Sequence, residues 1–325
     1  MAKIREFACL FSLCQAHPMA KPNLYAATAI DRAAHLRSDA AWIKAKRHHP
    51  DTRIVPVWRN QNLIVTGDPP LAGCLSPQAV ATPDTQSAPA PTTVAFLGLF
   101  EDAPHFAMDV SHLDDPAPLA EKAGGHFDDL RNFGPLLARD DAGLLAYARG
   151  LLYWHRHHGH CAVCGTLTEI AEAGHMRRCP AEACRAEHFP RTDPAIITLV
   201  TNATACLLGR QKNWPKGMYS TLAGFVEPGE SLEDTVAREV FEETGIRVTN
   251  IHYQSSQPWP FPASLMLGFR AVAAPGQTIA PMVDELEDVR WFSREALRGR
   301  KQTGFHLPYR GAISRGLIEA WIEEG

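Results

Sequence analysis

Several things are missing from this chain of 325 residues, and each absence removes a class of function. There is no strong net charge: 32 Lys and Arg stand against 36 Asp and Glu, leaving −4, so no global basic field recruits nucleic acid. There is no apolar run near the ~20 residues that a membrane-spanning helix needs, so no membrane partner is expected. The first twenty residues carry Lys3 and Arg5 ahead of a short apolar stretch, but Glu6 interrupts it, and the uncharged stretch beyond Glu6 is barely long enough for a signal-peptide core. The C-terminal residues Ile322 to Gly325 hold no lipidation or peroxisomal signal. A cytoplasmic protein is the expectation. The eight cysteines agree: four cluster with metal-ligand spacing, which suits a reducing compartment, and Cys9, Cys14, Cys74 and Cys206 are scattered, as small buried apolar residues are.

An apolar fraction of 45% with 21% charged residues is ordinary for a globular protein, and the length suggests two or three domains. Residues 1–150 read as an N-terminal α/β domain. Its expected strands lie at 53–58, 62–66, 94–99 and 106–110, its helices at 31–46, 128–138 and 142–158, and 67–93, rich in Pro, Ala, Ser and Thr, reads as a loop. Its chemistry is not legible: Lys44, Arg53 and Arg59 offer charge to a phosphate, yet surface solvation is the simpler reading. Residues 191–325 hold expected strands at 195–200, 203–210, 219–224, 248–254, 265–273 and 285–292, with a closing helix within 307–323. One helix between strands and one after them imply a sheet covered on both sides, an α/β/α sandwich.

Between these parts, in residues 151–190, stand Cys161, Cys164, Cys179 and Cys184. Two short turns, C-x2-C and C-x4-C, joined by a strand-like linker, can aim four thiolates at one tetrahedral Zn²⁺. Four ligands leave no open position, so such a zinc, one per chain, is structural. The alternative is four unrelated reduced thiols. His155, His157, His158, His160, His175 and His188 flank the cluster and are expected at the surface or behind the ligands. The ribbon lacks interleaved aromatics and has few basic residues, so it reads as a clip between domains rather than a nucleic-acid reader.

The segment 224–246, GFVEPGESLEDTVAREVFEETGI, concentrates the chemistry. Ser231 with Asp234 three residues on forms a capping box, Leu232, Val236 and Val240 make one apolar stripe, and Gly245 supplies a left-handed stop. Glu239, Glu242 and Glu243 then share one helix face. Three such anions repel each other unless a hard, oxygen-preferring cation such as Mg²⁺ or Mn²⁺ sits among them. Glu230, on the preceding loop, could reach the same ions, and Arg238 could orient a carboxylate. A solvated acidic face is the bland reading of an isolated E-x-x-E-E. Here Gly224, Glu230, Arg238, Glu239, Glu242, Glu243 and Gly245 fill every position of GX5EX7REUXEEXGU, and the chain thereby resembles the Nudix hydrolases.

Downstream lies SQPWPFPAS, residues 256–264. Three prolines stiffen this expected loop, holding Trp259 and Phe261 ready to stack on a flat ring or else to pack on the core. SQPWPFPxS after a Nudix box, with a cysteine set before it and an extra N-terminal domain, resembles the NADH pyrophosphatase branch of that family. The C-x4-C pair departs from the C-x2-C of some members. The resemblance implies metal-dependent hydrolysis of the pyrophosphate bond of NADH or NAD⁺ to NMN(H) and AMP, with two or three Mg²⁺ or Mn²⁺ ions. It also allows removal of NAD caps from RNA 5′ ends, and implies a homodimer. Carried over by motif, the metal ligands are Ala223 through its carbonyl, Glu239, Glu242, Glu243 and Glu285, with Glu230 and Arg238 in the catalytic set. Substrate contacts fall on Phe189, Gln257, Pro258, Trp259, Pro260, Phe261, Pro262, Ala263, Ser264 and Ser314. A nucleotide sensor without activity would be expected to lose box carboxylates, and none is lost.

Overall fold

A computed structural model describes residues 23–26, 29–81, 92–300 and 304–324, so Cys9, Cys14 and part of the 67–93 stretch lie outside the described residues. The N-terminal unit is built on strands β1 (Arg53–Trp58), β2 (Gln61–Val65), β3 (Leu71–Ala72), β4 (Val94–Phe100), β5 (Ala103–Asp109) and β6 (Gly125–Asp128). They form one sheet in the order β3-β2-β1-β5-β4, with β6 on β2. Two tight turns set its register. Arg59 and Asn60 (φ 45° and 71°) and Glu101 and Asp102 (φ 48° and 63°) take the left-handed conformation that matches the twist of a two-residue hairpin.

Three local expectations need correction. The 31–46 region is not one helix. A 3-10 turn, Ala34–Leu36, precedes α1 (Ala40–Arg47), because Asp39 caps α1 by accepting from the Trp42 N–H and restarts the chain there. The 67–93 loop contains β3 and a short helix, α2 (Pro77–Val80), which Ser76 caps and Pro77 opens. Past α3 (Ala117–Glu121), the 128–138 region gives β6 its last residue, then α4 (Leu130–Phe133) and a 3-10 turn.

The long helix α5 (Arg139–His157) covers this sheet, burying Ala142, Leu145, Ala148, Leu151, Leu152 and Trp154. Its C-terminus meets a three-stranded ribbon, β7 (Glu169–Ala171), β8 (Met176–Arg178) and β9 (Glu187–His188). Here two flanking histidines are not at the surface. His155 is buried, donating from Nε2 to the Gly174 carbonyl and accepting at Nδ1 from Arg177, while His175 Nε2 lies 2.7 Å from the Phe96 carbonyl.

The C-terminal unit holds β10 (Asp193–Thr201), β11 (Ala205–Gln211), β12 (Leu222–Phe225), β13 (Val248–Trp259), β14 (Ser264–Ala273) and β15 (Leu286–Ser293) in the order β13-β14-β10-β11-β15, with β12 on β10. Helix α6 (Leu232–Thr244) packs its Val236 and Val240 on one face, against Ile196, Leu207 and Phe269. After α7 (Arg294–Arg298), helix α8 (Ile313–Glu323) covers the other face with Leu317, Ile318 and Trp321. The strand paths of the two sheets correspond. In each, a central strand (β1, β10) forms a hairpin with the next, and lies parallel to the second strand of a later hairpin, β4-β5 or β13-β14.

One correction matters for function. Residues 256–259 are not loop: β13 runs through Gln257, Pro258 and Trp259, paired with Met266, Leu265 and Ser264. Pro258 is tolerated because β13 is the edge of its sheet, where a missing N–H leaves no ladder partner wanting. Only residues 260–263 turn.

Candidate active site

Helix α6 is held at both ends by the devices its sequence announces. Ser231 Oγ accepts from the Asp234 N–H at 3.1 Å, and Asp234 accepts from the Ser231 N–H at 3.2 Å. Gly245 (φ 72°) closes the helix so tightly that a Cβ there would lie 2.4 Å from the Ala280 carbonyl oxygen. With Val236 and Val240 fixed in the core, the acidic face of α6 turns toward β12. There Gly224 leaves room for an acid: a Cβ on it would lie 1.9 Å from the Glu239 carboxyl carbon and would displace that carboxylate. The backbone at Ala223 and Gly224 and the Glu239 carboxylate therefore share one tight space.

Within it the carboxylates are not equivalent. Glu243 is 4% exposed, and its Oε2 is buried without a hydrogen-bond partner. Burial pushes its pKa up to about 8, with further contributions from the charges of Glu239, Glu285 and Glu242. Glu239 is raised by burial too, against the pull of Arg238, and the charges of Glu242 and Glu285 add to the rise. Glu285, just before β15, is thus close enough to be felt by both, although it comes from the far side of the sheet in sequence.

Arg238 gathers the rest. It bonds Glu230 through Nε (2.5 Å) and Nη2 (2.9 Å), and its Nη1 reaches Glu239 at 2.9 Å and Glu242 at 3.2 Å. Glu230 also accepts from Thr235 Oγ1 at 2.9 Å and from the Glu227 N–H at 3.0 Å. Its oxygens are spent on these neighbours, which hold its pKa down to about 2, the Arg238 bonds being the largest cause. The sequence lets Glu230 reach the same ions; here its oxygens are engaged by Arg238, Thr235 and the Glu227 N–H. The remaining donors (Glu239, Glu242, Glu243, Glu285 and the Ala223 carbonyl) are all oxygen; Glu239 and Glu243 feel the charges of Glu242 and Glu285, and Glu243 is unpartnered, while among the described residues only the four cysteines converge within 4.8 Å. This set fits hard divalent cations, which would offset the neighbouring charges that add to the burial-driven rise of both acids.

Glu243 and Ala223 open onto a cavity of about 330 Å³ that Trp259, Tyr309 and Ser314 also line. Trp259 stacks on Tyr309 at 6.1 Å and 21°. Tyr309 was not foreseen, since no motif surrounds it. On its other side Trp259 borders a larger cavity, about 530 Å³, together with Pro258, Pro260, Ala263 and Ser264. The candidate substrate residues thus divide between two spaces with one indole as the shared wall. Phe261 and Pro262 line neither. Phe261 is instead packed against the N-terminal core, edge-on to Tyr25 at 5.7 Å. Gln257 lines the smaller cavity but is fully buried, donating to the carbonyls of Leu24 and Gly311 and accepting from the Ile313 N–H. Phe189 is 63% exposed and lines neither cavity of its own chain.

The four cysteines meet as their spacing suggests. Their sulfurs all lie within 4.8 Å of one another, with Cys161 to Cys184 at 3.7 Å and Cys164 to Cys179 at 3.5 Å. A tetrahedron with metal–sulfur bonds of about 2.3 Å has an edge of about 3.8 Å, so the quartet fits a four-coordinate metal closed to solvent ligands. Gly165 (φ 77°) and Arg185 (φ 53°) follow the second cysteine of each pair and turn the chain back. His188 stands behind, with Nε2 at 3.3 Å from Cys161 Sγ.

Comparison with known proteins adds three matches in chain order. Residues 51–154 match an NADH pyrophosphatase-like rudimentary NUDIX domain, 156–189 an NADH pyrophosphatase zinc ribbon domain, and 191–313 a NUDIX domain. The chain is 35% identical over 342 residues to the NAD-capped RNA hydrolase NUDT12 of Macaca fascicularis, covering 92% of this chain and 73% of that protein. It is 41% identical over 226 residues to the NAD-capped RNA hydrolase NudC of Stutzerimonas stutzeri, covering 70% of this chain and 76% of the relative. It is 44% identical over 214 residues to the human mitochondrial NAD(P)H pyrophosphatase NUDT13, covering 62% of this chain and 60% of that protein.

Proposed function

This chain belongs to the Nudix hydrolase family, in its zinc-ribbon-bearing NADH pyrophosphatase branch, and from that premise we propose that it hydrolyses the pyrophosphate bond of NADH or NAD⁺ to NMN(H) and AMP. The observation that carries this reading is Glu243: a buried carboxylate with an unpartnered oxygen, among other acids, opening onto a cavity walled by Trp259. The Ala223 carbonyl, Glu239, Glu242, Glu243 and Glu285 are the residues that would hold Mg²⁺ or Mn²⁺, two or three per site. When bound, these ions offset diphosphate charge and lower the pKa of the attacking water.

Each residue then has a defined task. Trp259 and Tyr309 hold a planar ring, and Ser314 borders the same space. Glu243, with Glu242 beside it, takes the proton of a water whose oxygen bonds to one phosphorus. The bond from that phosphorus to the bridging oxygen breaks, and the other phosphate leaves. No electron is transferred, so NADH is substrate and not cofactor. Arg238, braced by Glu230, holds Glu239 and Glu242. Cys161, Cys164, Cys179 and Cys184 hold one structural Zn²⁺.

A second reading, removal of NAD caps from RNA, uses the same chemistry and is supported by the names of two of the relatives. We place the protein in the cytoplasm as a homodimer. Substrate contacts near a subunit interface give a use to the exposed Phe189 ring. Products from NADH, NAD⁺ and ADP-ribose formed in H₂¹⁸O with Mn²⁺, read by mass spectrometry, test the reaction and identify the phosphorus attacked. Capped RNA set in competition with free NADH separates the two readings. No phosphoanhydride cleavage of any of these substrates would overturn both.

A further inference from the structure

Arg149 belongs to α5 of the N-terminal unit and is 6% exposed, yet no ion pair answers it among the described residues. A buried guanidinium is costly unless its donors are used. Here they are used on two backbone carbonyls from different halves of the molecule. Nε donates to the Asn60 carbonyl at 3.0 Å, in the β1-β2 turn, and Nη1 donates to the Pro260 carbonyl at the turn after Trp259. The same guanidinium lies 4.7 Å from the centre of the Phe261 ring. The turn offers few backbone donors of its own, though the Ala263 carbonyl accepts from the Asp193 N–H at 2.8 Å and Arg131 lies 5.5 Å from the Phe261 ring centre. Pro258, Pro260 and Pro262 have no N–H, and the Phe261 N–H goes to the Trp259 carbonyl at 2.7 Å. Tyr25 closes the arrangement, edge-on to Trp259 at 6.3 Å and to Phe261 at 5.7 Å.

We propose that Arg149 is a positioning residue of the substrate site, through which the N-terminal unit fixes the 259–262 turn and so sets the face that Trp259 presents. It touches neither the carboxylates nor the smaller cavity; it acts through the turn. This assigns the N-terminal unit a part in substrate recognition and rests on the reading of Trp259 as the holder of a substrate ring.

The test is a double-mutant cycle on the full chain with NADH and Mn²⁺. Arg149→Lys keeps a cation but cannot hold both carbonyls. It should raise KM about tenfold with kcat within about threefold of wild type, and leave Mn²⁺ affinity unchanged by calorimetry. Arg149→Met should raise KM further. In a Trp259→Ala background, Arg149→Lys should change KM by less than about twofold, because its effect is transmitted by the indole. A merely structural role would instead lower kcat and the thermal midpoint together and would persist in the Trp259→Ala background, which overturns the proposal. Should Trp259→Ala raise KM while a folded Arg149→Lys keeps the wild-type value, this proposal alone falls. Should Trp259→Ala leave KM unchanged, the ring-holding reading falls and takes the proposal with it.

Discussion

The two sheets of this molecule follow the same strand path and differ in what is inserted into it. Between its two hairpins the C-terminal sheet carries a glycine turn and the thirteen-residue helix α6, which bears Glu239, Glu242 and Glu243, the last of them lining the smaller cavity. At the corresponding place the described part of the N-terminal sheet carries the four-residue helix α2, PQAV, with no charge at all. Both sheets are well packed, with Val55, Val57 and Ile64 in one and Leu199, Val200 and Leu207 in the other all fully buried. A good core is therefore not what distinguishes the reactive half. On the proposed reading the insert supplies the acids, and strands of the sheet beneath it supply the Ala223 carbonyl and Trp259.

The hardest blow to that comparison would be activity without the insert's buried acid. Glu243→Gln keeps shape and removes the charge, so kcat with Mn²⁺ is expected to fall by ~10³ or more, a loss of about 4 kcal/mol in transition-state stabilisation. The fold should survive and even gain, since a neutral amide removes the cost of burying a carboxylate and no longer faces the charges of Glu239 and Glu285. Melting measured alongside turnover checks both. Near wild-type turnover in the folded variant would place the chemistry elsewhere.

How much of this was legible in the sequence depends on the range of each interaction. Everything local could be read: the capping box, the apolar stripe of α6, the left-handed Gly245 and the shared face of the carboxylates all arise within one helix. Non-local geometry could not. That Pro258 lies in a strand depends on β13 being an edge, which no window of sequence reports. Arg149 meets Pro260 across 111 positions, and Gln257 is claimed by Leu24 across 233. Spacing says that Glu230 can reach the ions, not that Arg238 engages both of its oxygens.

The ribbon sharpens the comparison by isolating the joint between the halves. Cys179→Ser replaces a fully buried sulfur ligand. We expect loss of the one bound zinc, measured by elemental analysis, and destabilisation by several kcal/mol, since metal binding and folding of such a ribbon are coupled. The carboxylates stand in another unit, so Mn²⁺ affinity should change little at temperatures where the variant is folded. Equal loss of both metals would mean that the two halves do not fold as separable units.

A finer comparison lies inside one turn. Trp259 lines both cavities, whereas Phe261 lines neither and is wedged between Arg149 and Tyr25. Base-on-aromatic stacking contributes about 1–3 kcal/mol, so Trp259→Ala should raise KM for NADH by about tenfold or more. Phe261→Ala should instead lower stability, by about 2–3 kcal/mol for a large aromatic in a packed setting. Steady-state kinetics and denaturant titration on both variants form the check, and the reverse pattern would favour core packing as the role of Trp259.

The smallest effect concerns pH at the same joint. His155 is neutral in the fold, with Arg177 donating to Nδ1 and Nε2–H given to Gly174, and burial pushes its pKa down to about 4. A proton on Nδ1 would face Arg177, with His175 adding like charge, against the opposing pull of the Gly174 carbonyl and Asp109. His175 is likewise lowered to about 4 by burial, near Arg37 and Arg32. In the unfolded chain both take a proton near pH 6.5. The unfolded state then binds more protons between pH 6.5 and 4, so stability is whole above that window and drains as pH falls through it. His155 alone should cost about 1 kcal/mol between pH 7 and 5.5. His155→Gln can still donate to Gly174 and accept from Arg177 but cannot titrate, so its denaturation midpoint should fall less steeply over that interval. An unchanged slope would mean that the imidazole is already charged in the fold, and that the joint between the two sheets tolerates a buried proton that this geometry gives it no means to hold.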